Sequence, residues 1–252
     1  MSDFAFNFLS PSAPTSAPTS APNSSPPSSP TPLLSPVEYI PPSNPLLPPS
    51  SPHPLYPSIL LVNPPTSLQD LPSTHDLTEG FEGGHKTWES SVDLLSVLKP
   101  HPNSSILELG CGTSLPTLHL LSLSPSSTAT VLDYNLSVLT SITFPNFHIN
   151  NLSPRVKFFS GDWNLMEGFW DVIIMSETVY TPAKTLETYN LLRKHLKKNG
   201  TGYVGGKRFY FGCGGGMGEF CRQIEGEMWE WERRVFEDGE SNIRDVVVMK
   251  WK

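Results

Sequence analysis

Apolar positions along the chain recur with two different periods, which predict helices and strands in alternation. Residues 87–98 have apolar side chains at a spacing close to one helical turn. Further helices are predicted at about 115–123, 135–140, 185–198 and 217–225. Apolar runs that suit buried strands stand at 105–109, 128–134, 155–159, 171–176 and 201–207. This alternation predicts an α/β fold with a doubly wound, mostly parallel sheet.

The C-terminal part has a different pattern. Residues 197–200 (KKNG) have the composition of a helix C-terminus, with basic residues followed by glycine. Between residues 229 and 235, apolar and charged residues alternate, as in a half-buried strand. A turn-like stretch at 236–241 then precedes an apolar run at 246–251. These two runs predict an antiparallel hairpin at one edge of the sheet.

Proline is concentrated in the N-terminal part of the chain. Of the 27 prolines, 20 stand before residue 73, and no Lys or Arg precedes Lys86. A Pro, Ser and Thr-rich segment without periodic apolar residues buries too little apolar surface to offset its ordering entropy. We therefore expect residues 1–57 to form a disordered arm and residues 58–252 to form one domain.

Charge and cysteine patterns argue against several functional classes. All 17 Lys and Arg residues lie in 86–252 together with 18 of the 24 Asp and Glu residues, so this span lacks the basic character of a nucleic-acid-binding surface. The three cysteines and seven histidines have no disulfide-scaffold or metal-ligand spacing. The sequence shows neither a membrane-spanning apolar run nor a basic signal segment. We expect a soluble intracellular protein without a metal, although the Ser/Thr-rich start leaves a plastid address open.

The stretch ILELGCGTSLP at 106–116 resembles a strand that leads into a nucleotide-binding glycine loop. A dinucleotide fingerprint needs a third glycine where Leu115 stands, and no lysine completes a phosphate-binding loop. Asp133 ends the second strand 21 residues after Gly112, where a carboxylate is placed to accept hydrogen bonds from a ribose. This combination favours S-adenosylmethionine; the alternative is a glycine-rich turn in an unspecialised α/β domain.

Six segments together resemble the eukaryotic histidine protein methyltransferases of the seven-β-strand class. In chain order they are EGGHKTWESSVDLL, ELGCGTSLP, LDYNLSVL, SGDW, IIMSETVY and FYFGCGGGMGEF. The resemblance implies a Rossmann-like methyltransferase fold and transfer of a methyl group from S-adenosylmethionine to a histidine ring nitrogen of a protein. It also implies that the protein substrate is a large-subunit ribosomal protein, met around ribosome assembly in the cytoplasm and nucleus.

The positions of the matched motifs imply a set of cofactor-binding residues on the first helix, the glycine loop and the ends of the strands. These are Trp88, Glu89, Ser90, Ser91, Gly110, Cys111, Gly112, Asp133, Tyr134, Asn135, Gly161, Asp162, Trp163 and Ser176. Ser90 stands where the family commonly has cysteine. Other roles stay open for some of them: Trp88 has the spacing of a core residue, and Asp162 suits a helix N-cap. Cys111 is not needed as a thiolate in methyl transfer.

Histidine methylation makes modest demands on an enzyme. Imidazole has an ordinary pKa of about 6.5, so most of it is already nucleophilic near neutral pH, and positioning of the ring supplies much of the barrier lowering. An acceptor for the second ring N–H would select the tautomer and take the proton after transfer. Glu177 and Tyr180, just past Ser176, are the candidates, with Tyr210 third. The glycines at 212–216 are interpreted as a substrate-facing turn.

Three other functions compete with this interpretation. A lysine-directed protein methyltransferase would need a more elaborate acidic or aromatic pocket, because lysine must first lose a proton. A non-catalytic cofactor-binding factor in ribosome assembly would share the glycine loop without the acceptor residues. A dinucleotide-dependent oxidoreductase is disfavoured by Leu115.

Overall fold

The computed structural model describes residues 35–62, 83–237 and 243–251. The strands are β1 Val37–Tyr39, β2 Ser50–Pro52, β3 Leu60–Val62, β4 Ser105–Leu109, β5 Thr128–Asp133, β6 Val156–Ser160, β7 Trp170–Ser176, β8 Leu196–Lys207, β9 Trp229–Phe236 and β10 Arg244–Trp251. The helices are α1 Glu89–Leu95, α2 Leu115–Leu123, α3 Leu136–Val138, α4 Phe144–Ile149, α5 Pro182–His195 and α6 Met217–Ile224. A π-helical turn, Leu139–Thr143, joins α3 to α4. In these ranges, none of the helices has the length and apolar character needed to cross a bilayer.

Within the described residues, eight strands form the main sheet in the order β1-β6-β5-β4-β7-β8-β10-β9. The five strands that the apolar runs predict, β4 to β8, pair in parallel. Strand β10 lies antiparallel between β8 and β9, so β9 is the edge strand. Both the mostly parallel α/β sheet and its antiparallel C-terminal pair are therefore confirmed. The small β2–β3 pair stands apart from this sheet.

Apolar side chains cover both faces of the sheet. Ile106 and Leu107 are adjacent in β4, yet they belong to separate buried clusters because successive side chains of a strand point to opposite faces. Helices α1, α2 and α4 contribute to the cluster that contains Ile106. Helices α5 and α6 contribute to the cluster that contains Leu107. The continuous apolar composition of β4 and β7 follows from this burial on two sides.

A buried ion pair joins α1 to the last strand. Arg244 Nε in β10 lies 2.6 Å from Asp93 Oδ2 in α1, and the two side chains are only 7% and 11% exposed. Pairs of this kind specify one arrangement, because the removal of one partner leaves the other charge poorly compensated in a dry environment. Asp93 and Arg244 therefore fix α1 on the sheet.

The predicted C-terminus of the fifth helix is wrong. Helix α5 begins at Pro182, where Thr181 caps it by accepting a hydrogen bond from the Lys184 N–H at 3.2 Å, and it ends at His195. The next residue, Leu196, already pairs with Trp170 of β7. Residues 197–200, assigned to the helix end from their composition, therefore belong to β8. Sheet pairing has overridden the local helix-stop pattern.

The structure also differs from the expected arm over residues 35–57. Strand β1 pairs with β6. The ring of Tyr39 packs edge-on against two phenylalanines, with its centroid 6.0 Å from that of Phe144 and 6.5 Å from that of Phe158. A single aromatic residue such as Tyr39 can hold a segment against the domain. The average composition of the segment does not reveal such a contact. The rest of the predicted arm, the span 63–82 and most of the predicted turn at 236–241 lie outside the described residues. The domain boundary near residue 57 stays a prediction.

Candidate active site

A cavity of about 360 Å³ lies at the carboxyl ends of the five parallel strands. Each strand ends at or beside a residue of its wall: Gly110, Asp133, Gly161, Ser176 and Lys207. Ligands of open α/β sheets bind at this edge, and the volume is in the usual range for small-molecule sites, about 300–1,000 Å³. The topology therefore gathers distant parts of the sequence around one small-molecule site.

Most of the site residues predicted from the sequence line this cavity. They are Trp88, Ser91, Gly110, Cys111, Gly112, Asp133, Tyr134, Asn135, Gly161, Trp163, Ser176, Glu177, Tyr180 and Tyr210. Their individual roles remain predictions, because a shared cavity shows proximity and not function.

Three of the predicted residues do not line the cavity. Glu89 is partly exposed and pairs with Lys86 at 3.3 Å. Ser90 is fully buried behind the wall. Asp162 caps a short 3₁₀ turn, where its Oδ1 accepts a hydrogen bond from the Asn164 N–H at 2.9 Å. The helix N-cap left open for Asp162 in the sequence is thus the arrangement found.

The glycine loop after β4 brings its backbone close to the cavity. Gly112 has a φ of 50°, and a Cβ atom there would lie 3.0 Å from the carbonyl oxygen of Gly84. A side chain at this position would therefore be strained and crowded at once. Beneath the loop, Glu108 accepts a hydrogen bond from the Ser114 hydroxyl, and burial raises the pKa of Glu108 to about 7. Burial also raises the pKa of the Cys111 thiol well above its ordinary value, as befits a bystander.

Asp133 holds the loop and faces the cavity. Its Oδ2 accepts a hydrogen bond from the Gly112 N–H at 3.0 Å, and its Oδ1 accepts one from the Asn135 N–H at 3.1 Å. Burial raises the pKa of this carboxyl group. The Tyr134 backbone N–H also donates to this carboxylate. A carboxylate has about four acceptor positions, so Asp133 can still accept a hydrogen bond from a ligand hydroxyl. The residues present thus fit a ligand with neighbouring hydroxyl groups, such as a ribose.

Three serine hydroxyls meet where α1 reaches the end of β7. Ser176 Oγ lies 2.8 Å from Ser90 Oγ and 3.0 Å from Ser91 Oγ. Only Ser91 and Ser176 reach the cavity wall, while Ser90 supports them from behind. The cluster positions the start of α1 against the sheet, which explains why serines distant in sequence share one wall.

Glu177 and Tyr210 form a hydrogen-bonded pair on the same wall. The Tyr210 hydroxyl donates to Glu177 Oε2, and Glu177 Oε1 is buried without a hydrogen-bond partner among the described residues. Glu177 has a φ of 58°, which is uncommon for a residue with a side chain. Burial, reinforced by the Glu177 charge, raises the pKa of Tyr210 above its usual range, so this hydroxyl remains a donor. Tyr180 also lines the cavity, and burial raises its pKa.

Two tryptophans on the wall are held by lysines. Lys86 Nζ lies 4.6 Å and Lys207 Nζ 5.8 Å from the Trp88 ring centroid. Lys184 Nζ lies 4.8 Å from the Trp163 ring centroid. These are cation–π distances, and they place three ammonium groups around the cavity.

Sequence reasoning missed seven residues of the wall. They are Gly83, Gly84, Lys86, Thr113, Thr178, Lys184 and Lys207. The sequence could have predicted Lys207 as a wall residue, because it ends a predicted parallel strand. Gly83, Gly84 and Lys86 stand inside a motif that was quoted for its resemblance only. Lys184 carried no signal, since its place on the wall depends on how α5 packs.

Comparison with solved structures defines the class of fold. The chain superposes with a TM-score of 0.51 on precorrin-6y C5,15-methyltransferase from Geobacter metallireducens, at 12% identity over 73% of this chain and 94% of that one. The TM-score is 0.52 for an O-methyltransferase family 2 protein from Planctomyces limnophilus, at 15% identity over 66% and 58% of the two chains. The fold is therefore that of the Rossmann-like methyltransferases.

Sequence comparison identifies relatives within this class of fold. No protein-family model matches the chain. It is 36% identical over 185 residues to the histidine protein methyltransferase 1 homolog of Dictyostelium discoideum, which covers 68% of this chain and 59% of that protein. The Bos taurus homolog is 32% identical over 70% of this chain and 56% of its own length. The chain thus spans somewhat over half the length of these relatives. It is a relative of the histidine protein methyltransferase family, which confirms the resemblance seen in the motifs.

Proposed function

We propose that this protein is an S-adenosylmethionine-dependent protein-histidine N-methyltransferase. The Glu177–Tyr210 pair carries the proposal: it places a carboxylate on the wall of the cavity that Asp133 and the glycine loop also line, and one oxygen of this carboxylate is buried without a hydrogen-bond partner among the described residues. The names of the relatives support protein histidine as the acceptor. When bound, S-adenosylmethionine supplies a methyl group carried on a positively charged sulfur.

The residues of the chain would divide the work. Asp133 would accept the ribose hydroxyls, and the Trp163 indole offers a flat apolar surface for the adenine. Ser91 and Ser176 border the region where the methyl group is expected. Glu177 would accept the second N–H of the acceptor imidazole, which fixes the tautomer and later takes the proton. Glu177 Oε1 is screened from solvent, so side chains that cover it must shift when the ring binds.

The proton on the acceptor, rather than the charge of the cavity, distinguishes histidine from lysine. Lys86 and Lys184 line the wall but are paired with Glu89 at 3.3 Å and Glu187 at 2.8 Å. The carboxylates of Asp133 and Glu177 line the same wall. A substrate lysine must lose a proton before it can attack, whereas most imidazole is already neutral near pH 7. The aromatic side chains of the wall serve either acceptor equally.

The family resemblance extends the proposal to a large-subunit ribosomal protein as the substrate. A protein that meets such a substrate around ribosome assembly acts in the cytoplasm and the nucleus. These two points rest on the resemblance alone.

Transfer of a labelled methyl group tests the acceptor. The full-length protein is incubated with labelled S-adenosylmethionine and an extract of cells that lack it. The labelled proteins are then hydrolysed, and the labelled amino acid is identified. We expect methylhistidine, on a large-subunit ribosomal protein. Label on lysine would overturn the histidine assignment, and binding of the cofactor without transfer would favour a non-catalytic role.

A further inference from the structure

Two exposed phenylalanines flank the tyrosine of the active site. Phe209 is 56% exposed and Phe211 is 82% exposed, while Tyr210 between them lines the cavity and bonds to Glu177. Consecutive Cα atoms are about 3.8 Å apart, so the backbone of both phenylalanines lies one residue from the cavity wall. Exposed aromatic side chains are enriched at the centres of protein interfaces.

The loop that carries these residues is closed by its own backbone. The Tyr210 N–H donates to the Gly215 carbonyl at 3.1 Å. The Tyr210 carbonyl in turn accepts hydrogen bonds from the N–H groups of Cys213 at 3.1 Å and Gly214 at 3.0 Å. We call residues 209–215 the phenylalanine loop. Its shape is set before any partner binds, which lowers the entropy lost on association.

The same loop is fixed to the body of the protein at both ends. Before it, Arg208 makes a bidentate ion pair with the fully buried Asp245, at 2.9 and 2.7 Å. At its last residue, a Cβ atom on Gly215 would lie 2.4 Å from the Val179 carbonyl oxygen, so the backbone is packed against the segment after β7. The positions of Phe209 and Phe211 relative to the cavity are therefore fixed.

We propose that the phenylalanine loop binds the protein substrate. The loop would contact an apolar patch on the substrate, next to the substrate's acceptor histidine. This inference rests on the proposed function. Whatever binds the loop is placed at the cavity, because Tyr210 belongs to both. A permanent partner there, such as a second copy of the chain, would obstruct the site, whereas a substrate leaves after methyl transfer. The loop thus contributes to substrate affinity and the Glu177–Tyr210 pair to the reaction.

The test compares Phe211→Ser and Phe209→Ser with Phe169→Ser. Phe169 is also exposed, at 67%, but it precedes β7, about 20 Å along that strand from Ser176. Label transfer from S-adenosylmethionine to an extract of cells lacking the protein is measured over a dilution series of the extract. Binding of S-adenosylhomocysteine is measured by calorimetry. We expect Phe211→Ser to lower the initial rate about tenfold in dilute extract and less in concentrated extract, with cofactor affinity unchanged. Phe169→Ser should behave as the wild type.

The outcomes separate the two proposals. If the wild type labels histidine but both loop variants keep its rate in dilute extract, the docking proposal is overturned and the proposed function stands. If light scattering shows that the wild type is a dimer and Phe211→Ser a monomer, the loop binds a second copy and docking is again overturned. If the wild type transfers no label to protein, both proposals fail.

Discussion

The Tyr210 hydroxyl donates a hydrogen bond to Glu177 across 33 positions of sequence, and the second oxygen of that carboxylate has no partner in the part of the chain that the structure describes. The acceptor side chain that this pair would hold determines how the rate depends on pH. With a histidine acceptor, the rate should rise through about pH 6.5, as imidazolium loses its proton, and then level off. A lysine acceptor would keep gaining towards about pH 9 and beyond. A pH profile of label transfer distinguishes the two.

Substitutions at the pair should impair the reaction more than cofactor binding. Glu177→Gln, Tyr210→Phe and Tyr180→Phe remove acceptor or donor groups from the wall, so we expect a reduced kcat with nearly unchanged cofactor affinity. Tyr203→Phe is the control, because Tyr203 is a buried tyrosine that bonds to His101 outside the cavity wall. Unchanged rates in all three variants would leave histidine as acceptor but remove these residues from the mechanism.

Asp133→Ala should weaken binding of S-adenosylmethionine by roughly 1–3 kcal/mol, because hydrogen bonds from a ribose to a carboxylate would be lost. Asp171→Ala is the matched control. Asp171 bonds to Ser105 and Lys197 at the opposite edge of the sheet, so its loss should leave cofactor affinity unchanged. Calorimetry measures both affinities. Tight NADH binding without binding of S-adenosylmethionine would contradict the assignment.

Glu108 should make stability depend on pH. Its pKa is about 7 in the folded protein against an ordinary 4.5, so the folded state holds the proton more tightly than the unfolded state. The free energy of unfolding therefore falls as pH rises from about 4.5 to 7 and is constant above that window. Glu108→Gln lacks this loss and should gain roughly 2–3 kcal/mol relative to the wild type between pH 5 and 8. Urea unfolding of both proteins at the two pH values measures this gain. The prediction is contradicted if the difference in free energy of unfolding between variant and wild type is the same at both pH values.

Truncation separates the two parts of the predicted arm. A chain that starts at residue 35 should keep its activity and stability, since 1–34 lacks periodic apolar residues and basic charge. A chain that starts at Ser58 loses β1 and the Tyr39 contacts, so its free energy of unfolding should fall by about 1–3 kcal/mol. Thermal unfolding and label transfer measure these effects. Equal stability of the two chains would show that β1 contributes little.

The sequence predicts β4 to β7 well because each contains a short, mostly apolar run, which is a strong local signal. It predicts only the second half of β8, because the KKNG segment at 197–200 has the composition of a helix end. It predicts the carboxyl-end residues, such as Asp133 and Ser176, because parallel topology gathers those ends at one edge. Other features depend on tertiary contacts that leave little local trace. The three-residue strand β1 is too short to show a period, and α5 ends where Leu196 pairs with Trp170. Lys184 reaches the cavity only through the packing of its helix.

The ion pair between Asp93 and Arg244 joins residues 151 positions apart. The ribosome synthesises the α1 segment long before β10, so the ion pair between Asp93 and Arg244 cannot form until β10 has been synthesised. Asp245, the next residue, is also needed to hold Arg208 at the start of the phenylalanine loop. The last strand to be synthesised therefore supplies one contact that holds α1 and another that holds the phenylalanine loop, so both contacts form only after the rest of the sheet has been made.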